Sequence, residues 1–182
     1  MPTSLPYGMR DLKITPYTDA GGTTLATESI DLPNIRSLSF TEAEEFQELR
    51  GDDTVVTTRG NGASVEWETE SGGLSLEAVK AMYGGTITTS GVAPATKTTW
   101  KKKATDSRPF FKIEGQAISD SGGDVHSVIF RARCTDNFSG EFKDGEFFLT
   151  KAKGKGLPIL GGPNAGDLYE FVQNDSAAVS IP

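Results

Sequence analysis

Between residues 64 and 70 apolar or neutral and acidic residues alternate strictly: Val65, Trp67 and Thr69 fall on one side of an extended chain, Glu66, Glu68 and Glu70 on the other. Successive side chains of a strand point to opposite faces, so this run predicts a strand with one buried and one acidic face. The same period returns in Phe110–Ile118 and Val125–Cys134, with the turn residues Asp120-Ser121-Gly122-Gly123 between them. That arrangement predicts a hairpin whose buried face holds Phe111, Ile113, Ala117, Val128, Phe130 and Ala132. Weaker alternation predicts a first strand over residues 9–17, stopped at Pro16 because a proline ring removes a ladder donor. Further extended runs cover Ile35–Phe40, Thr96–Ala104 and Leu168–Val172, and Asp144-Gly145 predicts a second hairpin joining Phe138–Phe142 to Phe147–Thr150.

Only one stretch reads clearly as a helix. Ser75 is placed as an N-cap, Leu76, Val79 and Met82 or Tyr83 form a stripe at helical spacing, and Gly84 supplies the stop, giving a helix over about 75–83. Residues 41–50 fit two periods. Thr41 with Glu44 makes a capping box, with Phe46 and Leu49 three apart; the alternative is a hairpin arm over about 41–60 that turns at Gly51-Asp52-Asp53 and returns through Val55 and Val56. The Gly-, Lys- and Pro-rich segment over about 151–166 reads as a flexible loop. There is no internal repeat and no linker, so residues 1–182 are expected to form a single, mainly β domain.

Composition narrows the function. With 182 residues, 36% hydrophobic and 24% charged, the chain can bury a core without disulfides or metal. A net charge of −7 and a pI near 4.8 argue against gripping nucleic acid, which takes clustered Lys and Arg. The single cysteine, Cys134, has no internal partner and is expected as a buried thiol made in a reducing compartment. The N-terminus carries neither the basic flank nor the apolar run of a signal peptide, so cytoplasmic synthesis without a membrane stage is expected.

Candidate chemistry is sparse. His126 shares a strand face with Val128 and Phe130, with no local nucleophile to form a relay. One His and one Cys cannot make a zinc cage, and Asp120–Asp124 lacks the glutamate of a calcium loop. The glycines at 154, 156, 161 and 162 lack the phosphate-loop spacing. No catalytic residue, metal or cofactor is expected, and the chain is read as a non-enzyme.

Several stretches taken in order carry a family resemblance: Leu5-Pro6-Tyr7-Gly8-Met9-Arg10-Asp11, Glu48-Leu49-Arg50-Gly51-Asp52-Asp53 and Gly72-Gly73-Leu74-Ser75-Leu76-Glu77-Ala78, then Asp106–Gln116 and Gly140–Phe147. Together they resemble the major tail protein, or tail tube protein, of long-tailed non-contractile bacteriophages. The resemblance implies a β-sandwich or partly closed barrel with one flanking helix. It implies subunits that stack as homo-hexameric rings around a channel through which genomic DNA passes at ejection without specific binding. The implied partners are further copies of the chain, the tape measure protein and tail tip or terminator proteins; the implied location is the virion, after synthesis in the bacterial cytoplasm.

On that resemblance the arm residues Glu42, Glu44, Glu45, Phe46, Glu48, Leu49, Arg50, Asp52 and Asp53 are candidates for contacts between subunits. Glu66, Glu68 and Glu70 are candidates for a lumen-facing acidic row that repels DNA phosphates, joined by some of Glu42, Glu44 and Glu48. Lys101–Lys103 would either pair with acids of an adjacent subunit or lie solvated. Two other readings compete: a β-sandwich carbohydrate- or host-binding module, and a type VI secretion tube protein.

Overall fold

A computed structural model describes residues 3–181. Among these residues the chain is mainly β, with antiparallel pairing throughout, one helix, and a main sheet that does not close. Its elements are β1 (Asp11–Pro16), β2 (Ile30–Asp31), β3 (Ile35–Gly51), β4 (Thr54–Gly72), α1 (Leu76–Tyr83), β5 (Thr86–Ser90), β6 (Lys97–Lys101), β7 (Phe111–Ile118), β8 (Asp124–Cys134), β9 (Leu149–Leu157) and β10 (Tyr169–Asn174). The main sheet runs β2-β1-β7-β8-β9-β4-β3, with β10 also paired to β8, while β5 and β6 form a separate ribbon.

The path of the main sheet bends at β8. Residues Asp124–Ile129 of this strand pair with β10, whereas Arg131–Cys134 pair with β9, so one strand serves both halves of a sandwich. The core lies between: Leu12, Ile14, Phe111, Ile113, Ile129 and Ala132 from one half meet Val65, Trp67 and Ala152 from the other. The Trp67 and Phe111 rings pack edge to face, with their centroids 5.7 Å apart. α1 closes one end of this core, burying Ala78, Val79, Ala81, Met82 and Tyr83. Its ends are those expected: the Ser75 side chain accepts from the Ala78 N–H, and Gly84, at φ 77°, donates to the Lys80 carbonyl. Lys102 turns back to donate to the Tyr83 carbonyl, so the expected Lys101–Lys103 run is split and its middle member caps the helix.

Three expectations need correction. The hairpin of β7 and β8 forms, but a bulge opposite Lys112 shifts the register between Phe111 and Ile113 and reverses the face of β8. Ile129, Ala132 and Cys134 therefore enter the main core with Phe111 and Ile113, while Val128 and Phe130 join Ile159 in a separate outer cluster. Residues 138–148 form no strand; Glu146 closes a turn on Lys143, and Phe142 and Phe147 project into solvent.

The segment 151–166, expected as a flexible loop, instead supplies β9 at its start. Lys151, Lys153 and Lys155 point outward and Ala152, Gly154 and Gly156 inward. The inner positions are small because neighbours fill the space: a Cβ on Gly154 would lie 2.6 Å from the Trp67 ring and 2.0 Å from the Arg133 carbonyl oxygen. A Cβ on Gly156 would lie 2.5 Å from Ile129.

Candidate functional site

Residues 41–50 are strand, not helix. β3 and β4 pair continuously from Ile35–Ser71 to Gly51–Thr54, with bulges near the arm base and beside Leu49. Asp52 and Asp53 turn the corner with φ of 48° and 63°, the paired positive angles of a two-residue hairpin loop, which aspartate tolerates better than most side chains.

This hairpin outruns its neighbour. β9 covers β4 only from Val65 to Gly72, so residues 43–64 pair with each other alone. At about 3.4 Å per residue, the stretch from Ala43 to Gly51 projects roughly 30 Å beyond the sandwich. An isolated two-stranded hairpin is marginally stable in water, and this one exposes apolar side chains on both faces. Phe46 is 66% exposed, Leu49 60%, Val55 49% and Val56 62%. Cross-strand pairing places Phe46 and Val55 on one face and Leu49 on the other. These apolar groups are interspersed with the exposed polar residues Glu45, Gln47, Glu48 and Arg50.

The acids of the arm are not equivalent. Tyr169 donates its hydroxyl to Glu42 at 2.8 Å, which ties the arm base to β10 and raises the Tyr169 pKa, first through that hydrogen bond. Glu44 folds over Gly60, where an added Cβ would collide with its carboxylate. Glu48 pairs with Arg50 at 2.8 Å. Glu45, Asp52 and Asp53 make no ion pair among the described residues.

On the outward face of β4, Glu66, Glu68 and Glu70 stand in a row, as the alternation requires. They are not a bare acidic stripe. Lys155 reaches Glu66 at 3.4 Å, Lys153 reaches Glu68 at 3.1 Å, and Lys151 reaches Glu70 at 2.9 Å, with Arg36 on the same carboxylate at 3.3 Å. The hydrogen bond from Lys151 pulls the Glu70 carboxyl below the usual carboxylate range, against an upward push from burial. Three carboxylates thus face three ammonium groups and one guanidinium, so the expected excess of negative charge is absent from this face. The lysine partners do have a signal in the sequence, the period of two in Lys-Ala-Lys-Gly-Lys-Gly, but its glycines fit a loop equally well.

A second cluster the sequence did not reveal seats the C-terminal segment. Asp124, fully buried, accepts from Gln116, from Asn174 at 2.7 Å and from the Val179 N–H at 2.9 Å. His126 Nε2 lies 3.0 Å from Asp124 and 2.9 Å from the Val179 carbonyl, and since both neighbours are acceptors that nitrogen carries the proton. Burial pushes the Asp124 carboxyl up, but the hydrogen bonds from Gln116, Asn174, Val179 and His126 outweigh it and hold it at about 2. Lys13 donates to the Ile181 carbonyl at 2.7 Å. Asp124 and the His126 Nε2 thus both hold the backbone at Val179 against β8.

Among the described residues no cluster of three or more His, Cys, Asp or Glu is placed to hold a metal, and no helix is long and apolar enough to cross a membrane. Cys134 is buried in the core, and burial pushes its thiol up to about 12. The chain matches no protein-family model and no curated protein.

Proposed function

We propose that this chain is a non-enzymatic structural subunit that polymerises into a tube, built as the tail tube protein of a long-tailed phage is built. The observation that carries the reading is the β3–β4 arm, which leaves the sandwich with apolar side chains on both faces and nothing among the described residues to cover them. A protrusion of this kind is a liability in a monomer and a means of assembly in a polymer. The open edges of the main sheet and the family resemblance of the ordered motifs support the same reading.

In this reading copies close into six-membered rings, rings stack, and DNA passes through the channel; the virion is where the protein works. The tape measure protein and tip or terminator proteins are its further partners. Glu66, Glu68 and Glu70 face the channel, where they act by holding Lys151, Lys153 and Lys155 in ion pairs. Unpaired lysines would bind passing phosphates and slow the genome. The competing sugar- or host-binding module lacks an equivalent support: Trp67 is buried in the core and Trp100 packs against it, with its ring centroid 5.8 Å from that of Phe138, so neither indole stands free in the manner of a sugar platform.

Negative-stain electron microscopy with sedimentation velocity over a range of concentration and salt tests the proposal. Hollow tubes or six-membered rings are expected. A subunit that stays monomeric at every concentration, with tail-tip components present, overturns it.

A further inference from the structure

Three arginines gather at one corner of the main sheet, where the end of β1 and the start of β7 meet the last residues of β8. Arg133 pairs across the ladder with Lys155, so it stands on the outward face of the sheet beside the lysine row. Arg131 and Arg133 both lie over the ring of Phe110, with guanidinium carbons 4.2 and 5.1 Å from its centroid. Beside them opens a cavity of about 310 Å³ lined by Tyr17, Asp19, Arg108, Phe110 and Arg133. Arg131 backs this cavity: it donates to the Ala20 carbonyl at 2.9 Å and the Pro158 carbonyl at 3.2 Å, and is only 8% exposed. Arg108 donates to the carbonyls of Cys134 and Asp136, at 3.1 and 2.6 Å, and to Asn137 Oδ1 at 3.1 Å. The guanidinium of Arg133 makes neither ion pair nor hydrogen bond among the described residues.

All of these partners are neutral, and among the described residues no carboxylate forms an ion pair with any of the three arginines. The one carboxylate lining the cavity, Asp19, turns to the backbone. It accepts from the Thr23 and Thr24 N–H groups at 3.1 and 2.7 Å, and these bonds, Thr23's first, hold it below the usual carboxylate range. Asp136 is exposed and lines a different groove, with Glu66 and Glu68. Three guanidiniums against one carboxylate leave this corner with an excess of positive charge, in a chain whose net charge is −7. A guanidinium as buried as Arg131, met only by carbonyl dipoles, gains from a counter-ion, because withdrawing a charge from water is costly without one. We propose that the cavity is an oxyanion site that takes a phosphate group, free or as the terminal phosphate of a nucleotide. Arg133 supplies the open donor fork, whose planar N–H groups match two oxygens of a tetrahedral anion. Tyr17 supplies a hydroxyl from the β1 side; burial pushes its pKa up to about 12, so it keeps its proton at neutral pH and donates. A dianion offsets the excess charge that a carboxylate would only halve. The site lies within one subunit and goes beyond the tube reading without depending on it.

Calorimetric titration of the full chain with sodium phosphate, against sodium chloride at equal ionic strength, tests the site, with adenosine monophosphate as a second probe. Saturable binding of phosphate is expected, with a rise in melting temperature that chloride does not give. Arg133→Gln should weaken the binding about tenfold or more, the effect of losing charge-assisted hydrogen bonds. It should melt as the wild type does in chloride, because the Arg133 guanidinium bonds no other described group. Tyr17→Phe should weaken binding several-fold and is an independent check. Adenosine monophosphate binding more tightly than phosphate assigns the site to a nucleotide; equal or weaker binding assigns it to the free anion. No saturable binding of either probe, or an affinity that Arg133→Gln and Tyr17→Phe both leave unchanged, overturns the inference and leaves the tube reading standing. A chain that binds phosphate but never assembles overturns the tube reading alone.

Discussion

Lys153 on β9 meets Glu68 on β4 at 3.1 Å, the middle rung of a ladder whose other rungs are Lys155–Glu66 and Lys151–Glu70. Directly paired residues of adjacent antiparallel strands lie close enough for their side chains to interact, and Glu68↔Lys153 is such a pair. The ladder therefore converts two rows of like charge, each self-repelling, into one face with little net charge.

Removing the acids should uncover the lysines. Glu66→Gln, Glu68→Gln and Glu70→Gln combined are expected to leave the fold intact, since exposed ion pairs contribute little to stability. The variant should gain affinity for double-stranded DNA that falls steeply with salt, measured by fluorescence anisotropy. No gain over wild type would mean that the glutamates do not mask the lysines.

Gly154 is required by packing. With a Cβ placed 2.0 Å from the Arg133 carbonyl oxygen, Gly154→Ala must move backbone, and a loss of about 1–3 kcal/mol is expected from urea unfolding. Gly161→Ala is the control, because its Cβ would meet only Thr23 at 3.4 Å; it should change stability by less than about 0.5 kcal/mol.

Asp124 makes the seating of the C-terminal segment acid-sensitive. Its carboxyl sits at about 2 in the folded chain, below its ordinary 3.8. The folded state thus binds fewer protons, so this contribution to stability is complete above about 3.8 and is lost as pH falls toward 2. Protection of the Val179 amide, taken as its exchange rate relative to the intrinsic rate at the same pH, should be high at pH 5 and fall below pH ~3. In Asp124→Asn the exchange should be fast at both, and a wild-type profile in that variant would contradict the role given to the carboxylate.

Cys134 should be inert to thiol reagents at pH 8, because burial holds its thiol near 12. It should react fully once denaturant unfolds the chain; rapid reaction of the native protein would place the core wrongly.

The legible parts of the sequence were those where one residue's neighbours in the chain determine its environment. The alternation around Trp67 announced β4 and its outward acids, and Ser75 and Gly84 marked the ends of α1. The arm stayed ambiguous because Phe46 and Leu49 satisfy a helical period as well as an extended one, and only pairing with Gly60 and Thr57 decides between them. β9 was hidden by its glycines, whose necessity lies in Trp67 and Ile129, far away in sequence. The face reversal along β8 depends on a single bulge, which no local pattern marks. For the same reason the sequence placed the acids of the ladder but not their lysine partners, and missed the Asp124 cluster altogether.

If the arm exists to join copies, a subunit with a shortened arm should fold and stay single. A variant in which residues 44–63 are replaced by Asn-Gly joins Ala43 to Ser64, which already face each other across the ladder. Wild-type and shortened proteins would be compared by sedimentation velocity and negative-stain microscopy at matched concentrations. The expected result is tubes or rings from the wild type and a folded monomer of unchanged thermal stability from the variant. Assembly that proceeds equally well without the arm would contradict its role in joining copies.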